Sequence, residues 1–244
     1  MIEKIRALGA TEVIQYGAHF METDRYLVEV VMERARERGE EGIYCHPYDH
    51  PDVWEGHSSL VDEVEAQMKE DGESAPEFLV CSVGGGGLFN GIMEGIVRQG
   101  DKWGKMQVLA LETRGADSLA TALENDELVA LPGITSIATS LGAVKVNERT
   151  FELAREGMRT GRVKSVVLSD AEAVMGCWRF AEDERILVEP ACGVNLALCY
   201  GGRLERALGR PVRPEDKVVI VVCGGSNTSA SMLNAWQEEY GSLI

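Results

Sequence analysis

Apolar positions along the chain recur with two different periods, and the two alternate. Ile2 to Leu8 has helical spacing that stops at Gly9, and Thr11 to Tyr16 then alternates in the manner of a strand. Thr23 is placed to cap a helix with the face Leu27, Val30, Val31, Arg34 and Ala35, closed by Gly39, and Ile43-Tyr44-Cys45 follows as a short strand. Two prolines punctuate His46-Pro47-Tyr48-Asp49-His50-Pro51, which reads as a turn and marks an expected domain boundary between residues 49 and 50.

Beyond the turn, Ser59-x-x-Asp62 has the spacing of a capping box and is expected to open a helix through Leu60, Val61, Val64 and Met68. Phe78 to Val83 is an apolar strand run, Leu88 to Val97 has helical spacing, and Gln107 to Glu112 is a second strand run, which together make a β-α-β unit. Val163 to Leu168, a helix from Asp170 to about Ala181, and Lys217 to Val222 continue the alternation. Strands that are apolar on both faces predict an α/β fold: a largely parallel, twisted sheet with helices on both faces and right-handed crossovers.

Composition narrows the function without naming it. The 244 residues, 45% of them hydrophobic, suffice for one large core with a smaller appendage. A formal net charge of −16, with lysines and arginines scattered among carboxylates, repels polyanions and argues against nucleic acid as a partner. No apolar run approaches membrane-spanning length, and the charged start Met1-Ile2-Glu3-Lys4-Ile5-Arg6 is no signal sequence, so a cytoplasmic protein without a membrane partner is expected. Cys45, Cys81, Cys177, Cys192, Cys199 and Cys223 form no C-x-x-C pair and read as reduced thiols.

The strongest chemical signal is Ser82-Val83-Gly84-Gly85-Gly86-Gly87-Leu88, four glycines between a strand and a helix. Such a run costs backbone entropy, but it lets several N–H groups converge on one anion at a helix N-terminus. A bound phosphate is the functional reading; the plain alternative is a tight strand-to-helix turn. The loop lacks the Gly-Lys-Ser/Thr ending of a P-loop and the spacing of a dinucleotide fingerprint, which disfavours nucleotides.

Four segments extend this reading. The glycine loop, Trp54-Glu55-Gly56-His57-Ser58-Ser59, Val188-Glu189-Pro190-Ala191-Cys192-Gly193 and Val222-Cys223-Gly224-Gly225-Ser226-Asn227 together resemble the liver-type serine dehydratases. These are L-serine/L-threonine dehydratases among the fold-type II, tryptophan-synthase-β-like enzymes of pyridoxal 5'-phosphate. The motifs stand in family order over nearly the whole chain. The resemblance implies that residues 1–49 are part of a small α/β domain covering the cofactor and residues 50–244 a large cofactor-binding domain. It assigns the cofactor phosphate to the backbone of Gly84, Gly85, Gly86, Gly87 and Leu88, and the pyridine nitrogen to Cys223, with Gly224 beside it. A thiol there is a weak donor that does not force the ring nitrogen to stay protonated, which favours β-elimination over racemisation or transamination. Taken alone, Cys223 would read as a small buried hydrophobe. The resemblance also implies a monovalent cation, K+, held by the Glu112 carboxylate and the carbonyls of Gly84, Ala116, Leu141 and Ala143. In isolation Glu112 could equally be a solvent-facing carboxylate at a strand end.

The implied reaction removes water and ammonia from a small amino-acid substrate, serine giving pyruvate and threonine 2-oxobutanoate, in a catabolic homodimer. The family also carries its cofactor on a lysine in a Ser-Phe-Lys-like motif. None of Lys4, Lys69, Lys102, Lys105, Lys145, Lys164 and Lys217 has that context, so the chain is expected to be N-terminally truncated and to have little activity alone. Three rivals stand beside this reading. His46-x-x-x-His50 with Asp49 and His57 suggests a metal hydrolase, against which Pro47 and Pro51 break the helix that spacing needs. An inactive remnant of the family that binds a partner subunit or nothing is a second. Another fold-type II activity, threonine or cysteine synthase, is a third, disfavoured by Cys223 and Trp54-Glu55-Gly56-His57.

Overall fold

In the computed structural model, which describes residues 2–244, the four runs that begin at Phe78, Gln107, Val163 and Lys217 contribute one parallel sheet. Two units can be distinguished, Met1–His46 and Pro47–Ile244, and the division falls inside the His46–Pro51 segment.

The first unit contains helix α1 (Ile2–Ala7), helix α2 (Phe20–Tyr26) running through a π-turn at Leu27–Val31, and helix α3 (Met32–Glu37). It has no strand among its described residues, so the strands expected at 11–16 and 43–45 are not formed. Nor is any described side chain in it fully buried. A strand needs a neighbour to satisfy its backbone, and these two segments have none. They are held instead by side chains: Tyr16 stacks on Tyr26 at 4.0 Å, and the Tyr44 hydroxyl donates to Asp24. Thr23 does not cap α2, which begins earlier, after His19; its hydroxyl donates to the Tyr16 carbonyl across 2.6 Å.

The second unit runs α4 (Pro51–Glu70), β1 (Phe78–Ser82), α5 (Gly87–Gln99), β2 (Gln107–Thr113), α6 (Ser118–Asn125), α7 (Glu148–Thr160), β3 (Val163–Leu168), α8 (Asp170–Glu184), α9 (Pro190–Leu196), α10 (Arg203–Leu208), β4 (Val218–Ile220) and α11 (Ala230–Tyr240). Helix α4 starts at Pro51, whose fixed φ suits a first helical position, and His50 caps it by accepting the Asp52 N–H. The expected start at Ser59 is therefore wrong. The Ser59 hydroxyl donates back to Gly56 O in mid-helix, and Asp62 pairs with Arg98 at 2.8 Å. Helix α8 does carry a capping box, formed by Ser169 and Glu172.

All strand pairs are parallel, in the order β3-β2-β1-β4. The pleat sends alternate residues to two separate cores. Leu79, Cys81, Val108 and Ala110 meet Val61, Phe89, Ile92 and Phe151 on one face, and Phe78, Val80, Leu109 and Leu111 meet Ala173, Ala191 and Val194 on the other. Helices on both faces explain why the central strands β1 and β2 read as apolar runs. Strand β1 lies between β2 and β4, so the crossover from β1 goes to one side while β4 joins on the other, and a crevice opens at the carboxyl ends of β1 and β4.

Candidate functional site

The crevice is built by sheet register. Val83 N–H donates to Leu111 O and Val221 N–H to Val80 O, each one residue beyond its strand, so β1 and β4 end side by side. The next residues are the glycine loop on one side and Cys223 on the other. Both line one pocket of about 290 Å³, to which Gly84, Gly85, Gly86, Gly87, Leu88 and Cys223 all contribute. Gly224 is not in the lining; its carbonyl accepts the Glu189 N–H across 3.0 Å and so ties the Cys223 loop to the start of α9.

The loop's conformation depends on glycine at two positions. Gly86 is the N-cap of α5 with φ +104°, a region side chains avoid, and a Cβ there would overlap the Thr150 hydroxyl. A Cβ on Gly85 would overlap the ring of Tyr48. The first N–H groups of α5, starting at Gly87, have no intrahelical acceptor and point toward the loop side, where the helix dipole favours an anion. Among the described residues no carboxylate other than Glu189 lines the pocket. Bare backbone at a 13-residue helix's N-terminus suits a phosphate.

Behind the loop lies a polar brace that the sequence reading missed. Asn147 N–H donates to Gly85 O at 3.1 Å, and Asn147 Oδ1 accepts from Thr150 N–H at 2.7 Å and Asn90 Nδ2 at 3.2 Å. Thr150 Oγ1 donates to Asn90 Oδ1 at 2.7 Å, and Asn90 N–H to Gly86 O at 2.9 Å. All three side chains are buried. Two local signals could have found them: Asn147 followed by Glu148 is an N-cap signature for α7, and Asn90 is a polar residue within the apolar spacing of α5. Tyr48 was also missed; Trp54 Nε1 donates to its carbonyl at 2.8 Å, which gives Trp54 of the Trp-Glu-Gly-His motif a positioning task.

Cys192 and Cys223 are hydrogen-bonded neighbours. The Cys223 N–H donates to Cys192 Sγ across 3.1 Å. Hydrogen bonds from the Cys223 thiol and from the Gly224 and Cys223 N–H groups hold Cys192 down to about 7, and the neighbouring Cys192 sulfur pushes Cys223 up.

The residues expected to hold a cation are partly assembled. Gly84 packs directly on Leu141. The Leu141 carbonyl accepts the Ala143 N–H at 2.7 Å, and Ala116 is buried. Glu112 is fully buried, and its two oxygens accept the N–H groups of Leu119 and Ala120, each at 2.8 Å, at the start of α6. Burial raises its carboxyl to about 8, against the pull of those donors. His50, one of the expected hydrolase ligands, spends its Nδ1 on capping α4, while His57 lies in the pocket lining. Among the described residues no three His, Cys, Asp or Glu side chains are grouped to hold a metal, and no helix is long and apolar enough to cross a membrane.

The chain matches known proteins over most of its length. The model of the family described as "Pyridoxal-phosphate dependent enzyme" matches residues 1–224. An L-serine dehydratase of Saccharomyces cerevisiae is 43% identical over 229 residues, 93% of this chain and 66% of that protein. A second S. cerevisiae protein, whose name describes a truncated L-serine dehydratase, is 42% identical over 198 residues, 80% of this chain and 92% of its own length. The crystal structure of a fungal L-serine ammonia-lyase from Rhizomucor miehei superposes with a TM-score of 0.82 at 31% identity, covering 98% of this chain and 70% of that one. The chain thus spans less than two thirds, 66%, of the first relative's length. A family model covering more than nine-tenths of the sequence and a relative of this identity agree with the parallel sheet and the phosphate-like loop: this chain belongs to the family of pyridoxal-phosphate-dependent enzymes.

Proposed function

We propose that this chain supplies the cofactor-binding part of an L-serine ammonia-lyase that also takes L-threonine, a β-eliminating enzyme giving pyruvate or 2-oxobutanoate and ammonium. The observation that carries the reading is that Gly84–Leu88 and Cys223, two motifs far apart in sequence, line one pocket at the carboxyl ends of adjacent strands. The named relatives, an L-serine dehydratase and an L-serine ammonia-lyase, support the choice of reaction.

Pyridoxal phosphate, when bound, supplies an electron sink for bonds broken at the amino acid's Cα. The chain's own residues bind and orient it. The backbone N–H groups of Gly84 to Leu88 hold the phosphate, because only bare backbone comes close enough to donate several bonds to one anion. Tyr48, over Gly85, closes the loop's open face and limits water. Cys223 meets the ring nitrogen as a neutral thiol whose hydrogen Cys192 also attracts, so it does not impose a positive charge on the ring. Gly224 fixes the Cys223 loop through Glu189 N–H. We also assign Glu112 and the carbonyls of Gly84, Ala116, Leu141 and Ala143 to a monovalent cation, K+; a fully buried carboxylate with two N–H partners gains from a third, positive one. A cytoplasmic homodimer acting in amino-acid catabolism completes the proposal.

A second reading has its own observation. No lysine lines the pocket among the described residues, and the S. cerevisiae relative whose name describes a truncated dehydratase matches 80% of this chain over 92% of its own length. On this reading the chain binds the cofactor without turnover. Incubation with pyridoxal phosphate, dialysis, and assay of pyruvate from L-serine separates the two. Retained cofactor with pyruvate supports the lyase, and retained cofactor without pyruvate supports the inactive binder. Loss of the cofactor on dialysis contradicts both.

A further inference from the structure

Cys192 lies in the first turn of α9 and Cys223 follows β4, and the fold brings them together in the pocket lining, with the Cys223 N–H on the Cys192 sulfur at 3.1 Å. We propose that Cys192 and Cys223 are an oxidisable thiol pair, converted to a disulfide by a small hydroperoxide, so that the cofactor pocket is also a covalent modification site.

Accessibility and hydrogen bonding divide the labour between the two sulfurs. Cys223 is exposed and Cys192 is buried, so an oxidant entering from solvent meets Cys223. Cys192 is the better anion, because it accepts from the Cys223 thiol and from two backbone N–H groups. Once the pair has lost one proton, it holds the other between two sulfurs. Passing that proton to Cys192 frees a Cys223 thiolate, which attacks the outer peroxide oxygen. An S–O bond forms, the O–O bond breaks, and the departing alkoxide or hydroxide takes the proton back from Cys192. The Cys192 thiolate then attacks the Cys223 sulfur: the S–S bond forms, the S–O bond breaks and hydroxide leaves. Two electrons pass from the sulfurs to the peroxide, and the products are the disulfide, an alcohol or water, and hydroxide.

Competing thiols are poorly placed. Cys81 and Cys177 are both buried, and burial pushes Cys81 up to about 12 and Cys177 higher still, which keeps them protonated and unreactive. Cys45 and Cys199 are exposed, and neither lines the pocket.

The disulfide itself does not depend on the proposed function. Its consequence for the cofactor does, since closing the bond takes the Cys223 hydrogen and turns its sulfur toward Cys192, away from a ring nitrogen. The test treats the full chain with hydrogen peroxide, alkylates the remaining thiols under denaturing conditions, and maps peptides without reduction. The expected result is a Cys192–Cys223 cross-link carrying the loss of two hydrogens, reversed by a thiol reductant and absent in Cys192→Ser. Cys223→Ser gives the same loss from the exposed side if the buried substitution fails to fold. Oxidation of Cys223 to its oxyacids with Cys192 left alkylatable, or a cross-link to Cys177 or Cys81, overturns the proposal. Titrating the oxidised protein with pyridoxal phosphate then isolates the reading of Cys223. A mapped cross-link with weakened cofactor binding supports both, whereas a mapped cross-link with unchanged binding upholds the thiol pair and removes Cys223 from the ring contact.

Discussion

Thr150 Oγ1 donates to Asn90 Oδ1 across 2.7 Å directly behind Gly86, so the hydroxyl that completes the buried brace also occupies the space a side chain at Gly86 would need. The loop that faces the pocket and the polar cluster behind it are therefore one unit, and they fail together.

Thr150→Val removes the donor and leaves the Asn90 oxygen buried without it, which costs about 1–3 kcal/mol. Thr150→Ser keeps the hydroxyl and should recover most of that loss. Urea unfolding of the three proteins checks this; a Val variant as stable as the parent contradicts the brace.

Gly86→Ala meets two penalties, a left-handed backbone that disfavours a side chain and overlap with Thr150, together about 3 kcal/mol. Pairing it with Thr150→Ala, which vacates the space, should return part of the stability but none of the backbone strain. Equal stability of the single and double variants contradicts the overlap. The comparison is made by thermal unfolding.

Cys223→Ala separates the two ends of the proposed cofactor site. Losing one hydrogen bond of about 1 kcal/mol should weaken pyridoxal phosphate binding roughly fivefold, with affinity for inorganic phosphate unchanged. Unchanged cofactor affinity in a titration followed by absorbance removes Cys223 from the contact.

Acid stability has a local source just before β4. Asp216 accepts from both Arg210 terminal nitrogens, at 2.6 and 2.9 Å, and from the Arg213 N–H at 2.8 Å. The Arg210 pairing, with the Arg213 N–H, holds the carboxyl down to about 2 from an ordinary 3.8. A depressed carboxyl contributes stability that is fully present above its unfolded value and is lost as pH falls through the folded one. Asp216→Asn should therefore lie below the parent in melting temperature above about pH 5, with the gap narrowing toward pH 2. A gap independent of pH contradicts the assignment.

Exchange of K+ for tetramethylammonium tests the cation proposal. A cation beside Glu112 binds only the folded chain, so its removal should lower the melting temperature of the parent and leave Glu112→Gln unmoved. Identical melting of the parent in both salts contradicts it.

How much of this was legible in the sequence follows from which forces act locally. The central strands at Phe78 and Gln107 are short apolar runs buried on both faces, which leaves a plain signal, and the half-buried edge strands at Val163 and Val218 remain rich in valine. The glycine loop was equally visible, because four glycines have few purposes. The apolar pattern at Thr11–Tyr16 misled, since strand formation depends on a pairing partner that spacing cannot supply. Ser59 misled because a capping spacing also occurs within a helix, and Pro51 was read as a breaker when it is a first helical residue. The brace was hidden for another reason: Asn90 and Thr150 are 60 residues apart and meet only through the fold.

The claim at the centre of this account is that the backbone at Gly84–Leu88 holds the cofactor through its phosphate. Equilibrium binding of pyridoxal phosphate and of pyridoxal to the same chain tests it most directly, because the two ligands differ only in that group. Charge-assisted hydrogen bonds from several N–H groups predict that pyridoxal phosphate binds at least about tenfold more tightly, with inorganic phosphate competing. Equal affinity for the two ligands, or no competition by phosphate, would contradict it.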